Sequence, residues 1–139
     1  MEKSDDYKIL NVSDEAFDDY KKISQSPPFK KLSGLINKHF FIMAMALGFA
    51  NDKLKPLNAK EKHSGGYCRI ETLSEEDKSV IKAISIATKK DINILIEPRE
   101  QYQIAEAYAN GGIKILRELV NKPGNFFLNM QTELQKIED

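Results

Sequence analysis

The sequence lacks the features that are typical of exported proteins. Its 139 residues include one cysteine, Cys68, so no disulfide can form within the chain and a reducing compartment is expected. The first ten residues, MEKSDDYKIL, are acidic where a signal peptide is basic, and no apolar segment follows them. We therefore expect a cytoplasmic protein.

An excess of charge of one sign is also absent. Lysine plus arginine and aspartate plus glutamate each total 21, so the formal net charge is zero. A protein that grips nucleic acid mainly by non-specific attraction is usually more basic. With 41% hydrophobic and 30% charged residues, the composition is that of a globular and not a disordered chain. Its length suits one compact domain over residues 1–139.

No hydrophobic run is long enough to span a membrane, which takes about 20 apolar residues. The uninterrupted run covers only residues 40–50, between Lys38 and Asp52. Because it is apolar nearly all round, we predict a buried central helix that begins near Lys31 or Ser33 and ends at Ala50. Its nearly fully buried positions should be Phe40, Met43, Ala44 and Leu47. The stripe of methionine and phenylalanine could instead line a ligand cavity, but core packing is the preferred interpretation.

Capping and breaking signals divide the rest of the chain. We predict N-caps at Ser13 and Ser74, the latter with Asp77 in a capping box, and a helix that begins at Pro98. The fold prediction is mostly α, a compact bundle of about five helices around the buried central helix, with room for one or two short strands. Residues 1–12 are interpreted as an N-terminal tail or strand, and residues 51–73 as a basic connecting loop.

Three segments leave finer choices open. The run INILIE at residues 92–97 fits either a strand or a buried connector, and YCRIETL at residues 67–73 fits a short strand or an extended arm. The helix that opens at Ser74 should bury Val80, Ile81, Ile84 and Ala87. After Pro98, the apolar pattern continues in phase across Gly111 and Gly112, which favours one helix packed closely against a neighbour. The alternative is a break at that glycine pair.

Signals for catalysis are scarce. The two histidines, His39 and His63, and Cys68 have no recognised zinc spacing, so neither a metal site nor a cofactor is predicted. No motif of a hydrolase, metalloprotease, P-loop or dinucleotide-binding protein is present. Glu97, Glu100 and Glu106 are interpreted as a solvated helix face, with Arg99 and Arg117 as their partners. We expect a protein that is not an enzyme.

Charge is unevenly distributed along the chain. Residues 1–20 carry a net charge of −5, whereas residues 21–62 carry nine lysines and two acids. The predicted contact site for DNA or an acidic partner is an exposed electropositive patch in the loop after the central helix: Lys53, Lys55, Lys60, Lys62 and Arg69. These side chains would hold phosphate or carboxylate groups without reading base sequence. The alternative is a solvated surface that only keeps the protein soluble.

Three stretches together resemble a known family. They are FKKLSGLINKHFFIMAMALGFANDKLKPL, GGYCRIETLSEEDKSVIKAISIA and EAYANGGIKILRELV, which span roughly residues 29–121. They are similar to successive blocks of the dnd system-associated proteins, small proteins encoded beside bacterial operons for DNA phosphorothioate modification and related defence. The resemblance implies an accessory protein of antiviral or DNA-modification machinery, and it brings no active site with it.

Two functional hypotheses follow from the resemblance and the charge pattern. The first is a non-catalytic adaptor of a prokaryotic DNA-modification or antiviral defence system. Its expected partners are other protein subunits of a defence complex, with DNA as a further candidate and without a membrane. The alternative is a stand-alone small DNA- or RNA-binding regulator that uses the lysine-rich patch. An enzyme with an unrecognised site is a third, less favoured hypothesis.

Overall fold

The computed structural model of the chain describes residues 7–138 and is mostly helical, as predicted. It contains six α-helices and one two-stranded sheet within those residues. The helices and strands are β1 (Ile9–Leu10), α1 (Asp14–Ser24), α2 (Pro27–Lys30), α3 (Asn37–Ala50), β2 (Cys68–Arg69), α4 (Glu75–Lys89), α5 (Pro98–Asn121) and α6 (Phe126–Leu134). Short 3-10 turns cover Ala59–Glu61, Ile70–Thr72, Ile92–Ile96 and Gln135–Glu138.

Helix α3 is the central helix of the core, as predicted. Phe41, Ala44, Met45 and Leu47 are completely inaccessible to solvent, and Phe40 is 5% exposed. The prediction for Met43 was wrong, because its side chain is only partly buried and Met45 takes the central position. Apolar residues lie on nearly every side of α3. The sequence pattern therefore did not show which of its methionines faces the partner helix.

The central helix begins later than predicted, at Asn37. Ile36 precedes it with an extended backbone, and its amide donates a hydrogen bond of 2.9 Å to His39 Nδ1. The imidazole of His39 therefore accepts the hydrogen bond of one amide at the start of the helix. Further upstream, the two prolines begin the short helix α2, which raises the helix count above the predicted five. Proline is well suited to the first positions of a helix because no amide is needed there.

Helix α5 runs without a break through Gly111 and Gly112 and packs along α3. A Cβ atom on Gly112 would overlap the carbonyl oxygen of Ala44, and one on Gly48 would overlap the carbonyl oxygen of Tyr108. The predicted close packing of backbones at the glycine pair is therefore confirmed. Because a glycine on each helix allows this contact, the backbones of α3 and α5 approach each other closely.

Within the segment interpreted as an N-terminal tail or strand, Ile9–Leu10 form a strand, and residues 1–6 lie outside the described part of the chain. Strand β1 pairs antiparallel with β2, with Ile9 opposite Arg69 and Leu10 opposite Cys68. The side chains of Leu10 and Cys68 are buried, at 0% and 1% exposure, so the strand pair closes one side of the core. Residues 51–73 therefore contain a strand and two short turns in addition to irregular loop.

The predicted caps at Ser13 and Ser74 are confirmed. Ser13 Oγ accepts the amide of Ala16 at 3.0 Å, while Ser74 and Asp77 exchange the two bonds of a capping box at 3.1 and 2.8 Å. Among the helices of residues 7–138, none combines the length and the apolar character needed to cross a membrane.

The predicted buried face of α4 was partly wrong. Ile81 and Ile84 are buried, but Val80 and Ala87 are exposed. Ser85 occupies the buried face instead, and its hydroxyl donates to the carbonyl oxygen of Ile81 at 2.8 Å. A serine that satisfies its own hydroxyl within the helix can replace an apolar residue there.

Candidate functional site

All five basic residues of the predicted contact patch have exposed side chains. Arg69 Nε lies 3.2 Å from Glu71 Oε2, in a pair that is itself exposed. Within residues 7–138, by contrast, none of the four loop lysines takes part in an ion pair, although several helix lysines do. Among the described residues, the ammonium groups of Lys53, Lys55, Lys60 and Lys62 thus have no carboxylate within ion-pair distance and can meet an external anion.

The loop that carries these lysines does not project at its start. The amide of Lys53 donates to the Gly48 carbonyl at 2.7 Å, and that of Lys55 donates to the Ala107 carbonyl at 3.0 Å. The side-chain amide of Asn110 donates in turn to the carbonyl of Lys55 at 3.0 Å. These bonds hold the backbone against α3 and α5, while the lysine side chains extend into solvent.

The basic residues face different parts of the surface. Lys53 borders a groove that also holds Lys122 and Lys136, whereas Arg69 borders a cleft on the strand side of the molecule. Lys55 borders a third depression, whose other charged residues are mainly acidic. Contact of all five residues with a single partner stays a prediction.

The acidic depression contains a buried carboxylate that joins α1 to α5. Asp19 is 2% exposed, and its two oxygens lie 2.9 Å from Arg117 Nη1 and 3.4 Å from Lys114 Nζ. Lys114 also binds Glu15, and this hydrogen bond lowers the pKa of Glu15 and raises that of Lys114. The predicted pairing of Arg117 with the glutamates of its own helix was wrong, because Asp19 is its partner. Asp19, Glu15, Lys114 and Arg117 thus neutralise one another, so their arrangement is explained by the packing of α1 on α5.

Glu106 was predicted to be solvated, but it is 4% exposed. Its Oε2 atom accepts the Asn11 amide at 2.7 Å and the Asn11 side-chain amide at 3.2 Å. Burial raises the pKa of Glu106, and it also raises the pKa of the Tyr7 hydroxyl beside it. The carboxylate thus fixes the end of β1 on α5. No spacing in the sequence indicates this contact, since Asn11 and Glu106 are 95 residues apart.

A second cleft combines aromatic and basic side chains. The rings of Tyr7 and Tyr102 stack with their centroids 5.6 Å apart and an interplanar angle of 19°. The Arg99 guanidinium lies 5.3 Å above the Tyr7 ring. Beside them is a cleft of about 350 Å3 that Arg69 also lines, with Lys8, Ile70, Glu71 and Pro98. Burial raises the pKa of the Tyr102 hydroxyl.

An apolar surface appears where the sequence predicted a strand or a buried connector. The run at Ile92–Ile96 forms a 3-10 turn in which only Ile94 is buried. Ile92, Leu95 and Ile96 are 67%, 38% and 73% exposed. Three of the five residues of this turn therefore place aliphatic side chains in solvent, and grouped exposed apolar side chains are typical of contact surfaces.

The histidines and the cysteine occupy separate positions. His63 Nδ1 lies 2.7 Å from Asp14 Oδ1, and its ring stacks on Phe17 with centroids 3.7 Å apart. Cys68 is buried, which raises the pKa of its thiol. In the part of the chain that the structure describes, no group of three histidine, cysteine, aspartate or glutamate residues is arranged to hold a metal ion.

Comparison with known proteins identifies a family. The family described as DNA sulphur modification system-associated protein 4 matches residues 25–137. This match confirms the resemblance to dnd system-associated proteins and extends it to α6. No curated protein and no solved structure matches the chain.

Proposed function

Because the chain belongs to the family of DNA sulphur modification system-associated protein 4, we propose that it is a non-catalytic accessory subunit that binds another protein of such a system. Association with the modification system follows from the family itself. The adaptor role, the protein partner and a part in antiviral defence belong to the proposal. Its main support within the molecule is the apolar surface formed by Ile92, Leu95 and Ile96.

This surface has the composition of a protein contact. Ile96 lines a depression together with Asp91, Glu97 and the ion pair of Lys89 with Glu100 at 2.9 Å. An apolar centre within a polar rim is the usual arrangement of protein interfaces. Full burial of an exposed isoleucine side chain contributes about 1.5–3 kcal/mol of favourable free energy. Burial of these side chains therefore favours association.

The proposal predicts that Ile92→Ser/Ile96→Ser loses its partner. We expect the tagged parent protein, expressed with the other proteins of a DNA sulphur modification system, to co-purify with at least one of them. The double variant should retain less than a tenth of that partner, because the apolar centre is gone. Leu128→Ser/Ile137→Ser is the matched control, since these side chains are also exposed, at 62% and 47%. If the parent captures none of those proteins, or the Ile92/Ile96 variant captures them equally well, the adaptor proposal is wrong.

A second candidate function is direct binding of DNA through the loop lysines. It is favoured by the observation that Lys53, Lys55, Lys60 and Lys62 are exposed and form no ion pairs within residues 7–138. Lysine contacts phosphate as a point charge and does not distinguish bases well. Such binding would place the protein on duplex DNA regardless of sequence.

The test is the triple charge reversal Lys53→Glu/Lys55→Glu/Lys60→Glu. It should remove duplex binding. In a variant that still binds weakly, the slope of log K against log salt concentration should be smaller by about 0.9 for each lost phosphate contact. Folding should be retained, because exposed substitutions usually change stability by less than about 0.5 kcal/mol each. A control with the same change in net charge is Lys22→Glu/Lys31→Glu/Lys82→Glu, at three other exposed lysines. Equal loss in both triple variants, or in neither, would argue against a role of the loop.

A further inference from the structure

We propose that the cleft beside Tyr7 and Tyr102 binds a nucleotide unit of single-stranded nucleic acid, with the base against Tyr102 and the phosphate against Arg69 and Lys8. This proposal concerns different side chains from the apolar surface of Ile92, Leu95 and Ile96. It therefore does not rest on the adaptor role. It also differs from the lysine-loop hypothesis, because stacking requires an unpaired base and duplex DNA does not present one.

The aromatic part of the cleft is positioned before any ligand arrives. Tyr102 lies in the second turn of α5 and is half-buried, and its ring is supported by the stacked Tyr7 ring. Arg99, one turn earlier on the same helix, lies over the Tyr7 ring and limits the movement of the pair. A base that stacks on Tyr102 would therefore meet a ring that has little rotational freedom left to lose.

The basic part of the cleft is available to a phosphate. Lys8 is exposed next to β1, and Arg69 extends from the paired strand β2. Arg69 is engaged by Glu71, but both side chains of this pair are mostly exposed, at 63% and 71%. Surface ion pairs of this kind contribute little, so the guanidinium can exchange the carboxylate for a phosphate at small cost. A guanidinium is also suited to two parallel hydrogen bonds with phosphate oxygens.

Aromatic rings beside basic side chains are the recurring elements of single-strand binding sites. The cleft of about 350 Å3 lies at the small end of ligand-site volumes, so it suits one nucleotide and not a longer segment. The remaining lining residues, Ile70 and Pro98, supply apolar edges that a base can contact. We infer that the strand crosses this cleft with one base inserted.

The experiment measures binding of a labelled twelve-residue thymidine strand by fluorescence anisotropy, with a duplex of the same length in parallel. The parent protein should bind the single strand more tightly than the duplex. Tyr102→Leu should weaken single-strand binding about tenfold, since one stacked base contributes roughly 1–3 kcal/mol. Tyr102→Phe, which keeps the ring, should restore it. Phe127→Leu is the matched control at another exposed aromatic residue, which is 52% exposed.

Arg69→Ala is a second variant that does not depend on core packing, because its side chain is exposed. It should weaken single-strand binding. It should also reduce the slope of log K against log salt concentration by about 0.7, which is the contribution of one phosphate contact. Competition with thymidine 5′-monophosphate shows whether the cleft binds a free nucleotide or a nucleotide within a strand, since both present the same base and phosphate. Displacement of the strand at equimolar monophosphate would assign the site to a free nucleotide.

Preference for duplex that persists in Lys53→Glu/Lys55→Glu/Lys60→Glu, or equal single-strand affinities of the parent and Tyr102→Leu, would overturn the proposal. So would a loss in Tyr102→Leu that Tyr102→Phe does not restore, because the effect would then come from the hydroxyl or from misfolding. Tyr102→Leu should still co-purify with the protein partner, which keeps failure of the stacking site distinguishable from failure of the adaptor role.

Discussion

Gly112→Leu should lower the free energy of unfolding by about 3 kcal/mol or more, the upper end of the range for overpacked sites. A Cβ atom on Gly112 would overlap the Ala44 carbonyl oxygen and approach Gly48 N at 2.5 Å. Both neighbours are backbone atoms, so no side-chain rotation can make room. The substitution must separate α3 from α5 or bend one of them, and these two helices make the main contact of the core.

Gly112→Ala isolates the first atom of this clash. Alanine should favour the helix by about 1 kcal/mol over glycine, so any destabilisation that is measured understates the cost of the overlap. Ala83→Leu is the control, because Ala83 is exposed on α4 and leucine is nearly as good a helix former as alanine. Urea unfolding of the three variants gives the comparison. A melting temperature of Gly112→Leu equal to that of the parent would contradict the close approach of α3 and α5.

The features that the sequence predicted best depend on nearby residues. The helix through Gly111 and Gly112 was predicted because its apolar residues recur in phase over the whole segment. The caps at Ser13 and Ser74 were predicted because the donor and acceptor are three residues apart. The caps span three residues and the apolar pattern repeats within one continuous segment, so the sequence contains both signals.

The contacts that sequence reasoning missed join distant segments. Glu106 binds Asn11, and Arg117 binds Asp19, each pair being more than 90 residues apart. A glutamate in a helix is usually solvated. No neighbouring residue in the sequence indicates that Glu106 will be buried and accept hydrogen bonds from the end of a strand. The stacking of Tyr7 on Tyr102 also joins distant segments. The cleft beside these rings could therefore not be predicted from the sequence, although Arg69 was among the predicted contact residues.

Short apolar runs are ambiguous for a different reason. Residues 92–97 are mostly aliphatic, and such a run can be a buried strand, a connector or an exposed contact surface. Burial was the natural expectation, but Ile92 and Ile96 extend into solvent because the turn offers only Ile94 to the core. The exposed fraction of a short run depends on the elements that cover it, and these are set by the fold as a whole.

Leu47→Ala should lower the free energy of unfolding by about 2–5 kcal/mol, whereas Met43→Ala should cost clearly less. Leu47 is completely buried on α3, so its truncation removes apolar contacts and leaves a cavity that the tightly packed backbones cannot close. Met43 packs against the same core but is only partly buried, so water can fill much of the space that its truncation opens. The expected difference therefore comes mainly from the cavity.

Met45→Ala separates burial from residue type in this comparison. Met45 has the same side chain as Met43 but is 0% exposed, so its truncation should cost nearly as much as that of Leu47. Urea unfolding with a shared slope gives all three free energies on one scale. Equal losses for Met43→Ala and Met45→Ala would mean that both methionines are enclosed in solution. The partly open side of α3 would then be covered by a second molecule, and a concentration-dependent melting temperature would reveal it.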